Sequence, residues 1–149
     1  MSLPDPALLV PHEGEALLLE RIDSVDADGL VASLVVGGTK PRGRQDSLPG
    51  WMGPEIMAQA VSAFATLRSG PPYRPKPGLL LGIRTYRSEI DEFRRGACIA
   101  VSVRESTRLD AGRAVFDSTL SLDGRQVASG MLTVFQPENV VESLAEQLA

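Results

Sequence analysis

The 149-residue sequence contains one cysteine, one histidine and one tryptophan, and only 5% of it is aromatic. Cys98 alone cannot form an internal disulfide, and nothing in the chain resembles a zinc ligand set; both absences fit a reducing compartment. The opening MSLPDPALLVPHEGE has no basic stretch followed by an apolar core, which argues against a signal peptide. No apolar run approaches the ~20 residues that span a bilayer, so no membrane association is expected and the cytoplasm is the expected location. Acidic residues outnumber basic ones, 19 to 15, for a net charge of −4. That balance argues against non-specific nucleic-acid binding, which needs a basic footprint. Repeats and low-complexity tracts are absent. The glycines of GGTKPRGR lack the following helix and the Lys-Ser/Thr ending of a phosphate-binding loop, and no motif calls for a metal, flavin or nucleotide cofactor.

What is present is an ordinary globular composition, 43% hydrophobic and 23% charged, in a chain long enough to bury a core as one domain over residues 1–149. Two β-rich blocks flank one apolar helix. The first holds strands at 16–25 and 29–37, separated by a turn signal at Asp28-Gly29. The second holds strands at 79–90, 97–106, 111–122 and 126–136, the last two joined by Asp123-Gly124. Ile99, Val101 and Val103 alternate with Cys98, Ala100 and Ser102, as in a strand with one buried face; Cys98 reads as core rather than as a nucleophile. The segment 69–78 is a proline-rich loop, and 138–148 reads as a short C-terminal helix.

Between the blocks lies PGWMGPEIMAQAVSAFA. Pro54 suits a first helical position, and from Ile56 to Leu67 the pattern is apolar on nearly every face, as for a helix surrounded by protein. Antiparallel strands before and after it imply an α+β fold, a sheet curled around one long central helix: the hotdog architecture. Glu55 stands at the mouth of that helix, with Gln59 at i+4 on the same face. A carboxylate is ordinarily at home in a first helical turn. The alternative is a reacting acid beside an apolar slot, close to amides that can stabilise a developing oxyanion.

The segments LLVPHEGEALLLERI, PGWMGPEIMAQA and LLLGIRTYRSEIDEFRRG, in this order, resemble the hotdog 3-hydroxyacyl-[acyl-carrier-protein] dehydratases over roughly residues 8–137. The resemblance is strongest to predicted dehydratases encoded with aryl-polyene biosynthesis clusters. It implies a lyase of fatty-acid or polyene-type synthesis that acts, without a cofactor, on a thioester of acyl carrier protein or CoA. Glu55 would be the catalytic carboxylate, Gln59 would orient it, and the amides of Gly50 and Trp51 would hold the thioester carbonyl. A homodimer with sites at the interface is also implied. Trp51 is alternatively a gate or a packing residue.

The family's second catalytic group, a histidine nine residues before the glycine of PG, is missing: that position is Pro41. His12, in VPHEG, is the one imidazole in the chain. An imidazole ordinarily titrates near pH ~6.5, the natural range for a base at neutral pH. His12 therefore either supplies the missing group, from the same chain or a partner subunit, or closes the entry to the first strand. In the second case Glu55 works with water, Asp46 or Arg44, or the protein binds acyl thioesters without turning them over. An acyl-thioesterase, with Glu55 activating water, is a further enzyme reading, and a non-catalytic acyl-binding subunit is the reading from another class. The arginines gather at Lys40, Arg42, Arg44, at Arg68, Arg74, Lys76, and at Arg84, Arg87, Arg94, Arg95. They form either a solvated surface or, around Arg68, Arg74, Arg94 and Arg95, a dock for an acidic carrier protein.

Overall fold

The computed structural model describes residues 3–37, 47–75, 79–109 and 112–135. Six strands form one antiparallel sheet: β1 (Arg21–Val25), β2 (Gly29–Val35), β4 (Leu79–Ser88), β6 (Cys98–Arg108), β7 (Arg113–Leu122) and β8 (Arg125–Phe135). Their order across the sheet is β1-β2-β6-β7-β8-β4. Two short strands, β3 (Ser47–Pro49) and β5 (Glu92–Arg94), pair separately, and β3 leads into the helix α1 (Gly53–Ser69). The sheet packs against α1, as the α+β hotdog reading expects. The segments proposed for a C-terminal helix (138–148) and for the Lys40–Arg44 loop, together with Asp46, lie outside the described residues.

The alternation along β6 and β7 sets the buried face. Ile99, Val101 and Val103, then Phe116 and Leu120, point inward onto Ile56, Ala60, Ala63 and Phe64 of the helix. Phe64 and Phe116 meet edge to face, with ring centroids 5.9 Å apart. Side chains of this kind contribute about 1.5–3 kcal/mol each when fully buried. The same alternation corrects the reading of Cys98. It falls on the opposite phase to Ile99 and is exposed, so it is not core.

Both turn signals make tight connections. Asp123 and Gly124 have φ of 49° and 87°, the paired positive values that a two-residue hairpin between β7 and β8 requires. At the other, the Asp26 carboxylate accepts the Asp28 and Gly29 amides at 2.8 and 3.0 Å. Gly70, at φ 78°, ends α1 and returns its N–H to the Leu67 carbonyl.

Two further expectations differ from the structure. Residues 16–20 are not strand. A 3-10 turn at Gly14–Ala16 precedes Leu17, Leu18 and Leu19, all three buried, a run that one-faced alternation cannot produce. In place of a neighbouring strand, Ala16 and Leu18 pair with a side chain of the helix, described below. Nor is α1 enclosed on every side. Ala58, Ser62, Ala65 and Leu67 are only half-buried, so one flank of the helix stays open in the single chain.

Candidate active site

The first turn of α1 carries Glu55, behind Pro54, whose missing N–H costs nothing there. One turn on, Gln59 is fully buried and uses its whole amide. Its Oε1 accepts the Leu18 N–H at 2.8 Å, and its Nε2 donates to the Ala16 carbonyl at 2.7 Å and to Glu55 Oε1 at 3.1 Å. This amide stands in for the missing strand partner of residues 16–18 and at the same time fixes one carboxylate oxygen.

The same stretch of chain delivers the histidine. Upstream, the Leu9 carbonyl accepts the Thr66 hydroxyl at 2.8 Å; downstream, Ala16 and Leu18 are bound by Gln59. Residues 9–18 thus form a bridge pinned to α1 at both ends, with Leu9 and Val10 buried beneath it. His12 lies on that bridge, and its Nε2 is 3.0 Å from Glu55 Oε1. The side chains are 34% and 42% exposed, so this is an accessible pair and not one closed in an apolar tunnel. His12 Nδ1, in contrast, is buried and has no hydrogen-bond partner among the described residues. Nε2 is therefore the nitrogen available for chemistry.

The structure thus brings His12, Glu55 and Gln59 together within one chain. It places Gly50 and Trp51 beside them, but not as a pair of free amides. The Gly50 N–H donates to the Asp91 carbonyl at 2.7 Å, so this amide is already engaged within the chain. Gly50 is there for close approach, since a Cβ on it would lie 2.6 Å from the Ile90 carbonyl oxygen. The Trp51 amide has no backbone acceptor among the described residues, and its side chain is 74% exposed. Tyr86, which sequence reasoning does not single out, donates its hydroxyl to the Gly50 carbonyl at 2.9 Å.

Among the arginines considered for carrier docking, Arg68 lies near the far end of α1, about 20 Å from Glu55 along the axis at 1.5 Å per residue. It donates to Glu105 at 2.8 Å and its guanidinium sits 4.5 Å from the centre of the Phe64 ring. Hydrogen bonding from Arg68 holds the Glu105 carboxyl below its ordinary range, against the opposing effect of burial. Arg94 is exposed on β5, opposite Ser47 and close to the Pro49-Gly50 turn. Arg74, Arg84, Arg87 and Arg95 are also exposed. No helix among the described residues is long and apolar enough to cross a membrane.

No curated protein matches the chain. Among solved structures, the dehydratase heterocomplex ApeI:P from Xenorhabdus doucetiae is similar over 96% of this chain and 97% of that one, at 25% identity and a TM-score of 0.84. The E. coli PaaI protein of the phenylacetic acid degradation operon aligns over 76% of this chain and 80% of its own, at 14% identity and a TM-score of 0.56. A hypothetical thioesterase with coenzyme A from Streptococcus pneumoniae aligns over 78% and 86%, at 13% identity and 0.57. The last two share the fold alone. Residues 4–146 match the ApeP-like family, described as ApeP dehydratase, and the chain belongs to that family of hotdog-fold dehydratases.

Proposed function

We propose that the protein removes water from a 3-hydroxyacyl thioester, most simply one carried by acyl carrier protein, to give the trans-2-enoyl thioester without a cofactor. The observation that carries this reading is the 3.0 Å approach of His12 Nε2 to Glu55 Oε1, on an oxygen already bound by Gln59. A dehydration needs two proton-handling groups, and these two residues supply them. Entering substrate exchanges the contact between them for one from each to itself. His12 Nε2 takes the α-proton. The electrons of that C–H bond form the double bond, and the β-hydroxyl leaves as water with the proton of Glu55. The Trp51 amide, at the positive end of α1, faces the charge that develops on the thioester oxygen. The imidazolium so formed has no acceptor at Nδ1 among the described residues and is held by Glu55. Its proton passes to the Glu55 carboxylate across the same contact, which restores the starting state.

Arg94, an exposed cation on β5 opposite Ser47, suits an acidic carrier protein. The dehydratase heterocomplex among the similar structures, together with the open flank of α1 and the exposed Trp51, supports action in a complex with a second hotdog chain. A different subunit and a second copy of this chain, as in the homodimer first expected, both fit. Fatty-acid or polyene-type synthesis in the cytoplasm is the corresponding setting.

The test is a mass-spectrometric assay with short 3-hydroxyacyl carrier-protein thioesters. The wild type is expected to remove one water, and Glu55→Gln and His12→Ala to lose that activity. Release of free thiol would identify a thioesterase instead. No mass change over several chain lengths, alone or with a partner hotdog subunit, would favour an acyl-binding role.

A further inference from the structure

We propose that Tyr86 is a positioning residue for this reaction: its hydroxyl anchors the Gly50–Met52 turn and so fixes the Trp51 amide relative to Glu55. The inference rests on the dehydratase reading above. Gly50 is held through both of its backbone groups. Its N–H donates to Asp91, while its carbonyl accepts the Gly53 N–H from within the turn and the Tyr86 hydroxyl from strand β4. Trp51 lies between these fixed points. Without Tyr86, the hold on the Gly50 carbonyl among the described residues would be the turn's own bond to Gly53.

Three further features are arranged around this one side chain. A β-bulge interrupts the β4–β8 ladder between Arg84 and Arg87, so that Thr85 and Tyr86 together oppose Gly130. Thr85 has φ of 53°, a left-handed conformation rarely adopted by a β-branched residue. Strain and bulges of this kind re-aim a neighbouring side chain, and here that side chain is Tyr86. Two glycines then make room for it. A Cβ on Gly53, the first residue of α1, would lie 2.0 Å from the Tyr86 hydroxyl oxygen, and one on Gly130 would lie 3.3 Å from its ring. Bulge, left-handed threonine and glycine cradle serve no element of regular structure; together they bring a phenol to the entrance of the helix. Burial pushes the Tyr86 phenol above its ordinary range, with the Ser88 hydroxyl offsetting part of the rise, so it remains a protonated donor at neutral pH.

Trp51 is the one tryptophan of the chain and lies in the turn that Tyr86 anchors, so its fluorescence reports the turn directly. The experiment compares wild type with Tyr86→Phe, which keeps the ring, and with Gly53→Ala, which keeps the phenol but occupies the place of its hydroxyl. Each variant is expected to lower kcat about tenfold with KM within about twofold, and to shift Trp51 emission or anisotropy. Unchanged kcat in Tyr86→Phe overturns the proposal, and so does a loss of kcat with unaltered Trp51 fluorescence. If Tyr86→Phe does not fold, Gly53→Ala decides by the same two readouts. A wild type without dehydratase activity would refute the reading beneath; the fluorescence comparison would still support or overturn the anchoring itself.

Discussion

Glu55 Oε1 is shared between a buried amide and an accessible imidazole, and the two contacts make different demands. Gln59 also closes the backbone of Ala16 and Leu18, so Gln59→Leu should destabilise the protein by about 2–4 kcal/mol, the result of leaving buried polar groups unpaired. Urea unfolding measures this, and a change under about 0.5 kcal/mol would deny the amide its structural role. In the proposed reaction the same two residues trade protons, Glu55 giving one and His12 taking one. The contact between Glu55 and Gln59 was legible because helical spacing puts i and i+4 on one face. His12 was legible only as a chemical type. Its arrival depends on the bridge between Thr66 and Gln59, contacts separated by more than forty residues in sequence. The bond that engages the Gly50 amide was not legible, because its acceptor, Asp91, comes from a later segment that no local motif announces.

At the level of elements, α1 is held at its two ends by different means: Tyr86 and the β3–β5 pair at the start, Arg68 at the finish. Arg68→Ala removes an ion pair to β6 and a guanidinium over Phe64, and should cost about 1–2 kcal/mol near neutral pH. The folded-state pKa of Glu105 is depressed. Its contribution is thus fully present above the unfolded carboxyl's range and is lost as pH falls through the lower, folded-state range. The stability gap between wild type and Arg68→Ala should shrink in acid toward the part owed to Phe64; a gap that widens there would contradict the sign. The four long strands after α1 and both hairpins could be read from period and turn residues, because those signals are local; the three-residue strands β3 and β5 were too short to give such a signal. The stretch 16–20 was misread because β-like residues there pack on a helix, and the bulge at Thr85-Tyr86 was not seen because only the register against Gly130 exposes it.

For the whole molecule, the hotdog arrangement followed from one almost wholly apolar helix between blocks of alternating strands, a pattern with few other ways to bury its surface. The half-buried flank of that helix is where a single chain falls short of the enclosure its apolar pattern suggested. Pairing with a second hotdog subunit would complete it, and light scattering at micromolar concentrations, alone and with a candidate partner, should find a complex of two or more chains. A monomer under both conditions would refute that assembly.

The central claim is that His12 and Glu55 together dehydrate a 3-hydroxyacyl thioester. The most direct test follows the mass of a short 3-hydroxyacyl carrier-protein thioester with wild type, Glu55→Gln and His12→Ala, in the presence of any partner subunit the protein requires. The account predicts loss of one water with wild type and at least a hundredfold slower loss with either variant, since each removes a general acid or base. Dehydration by His12→Ala at the wild-type rate would contradict it.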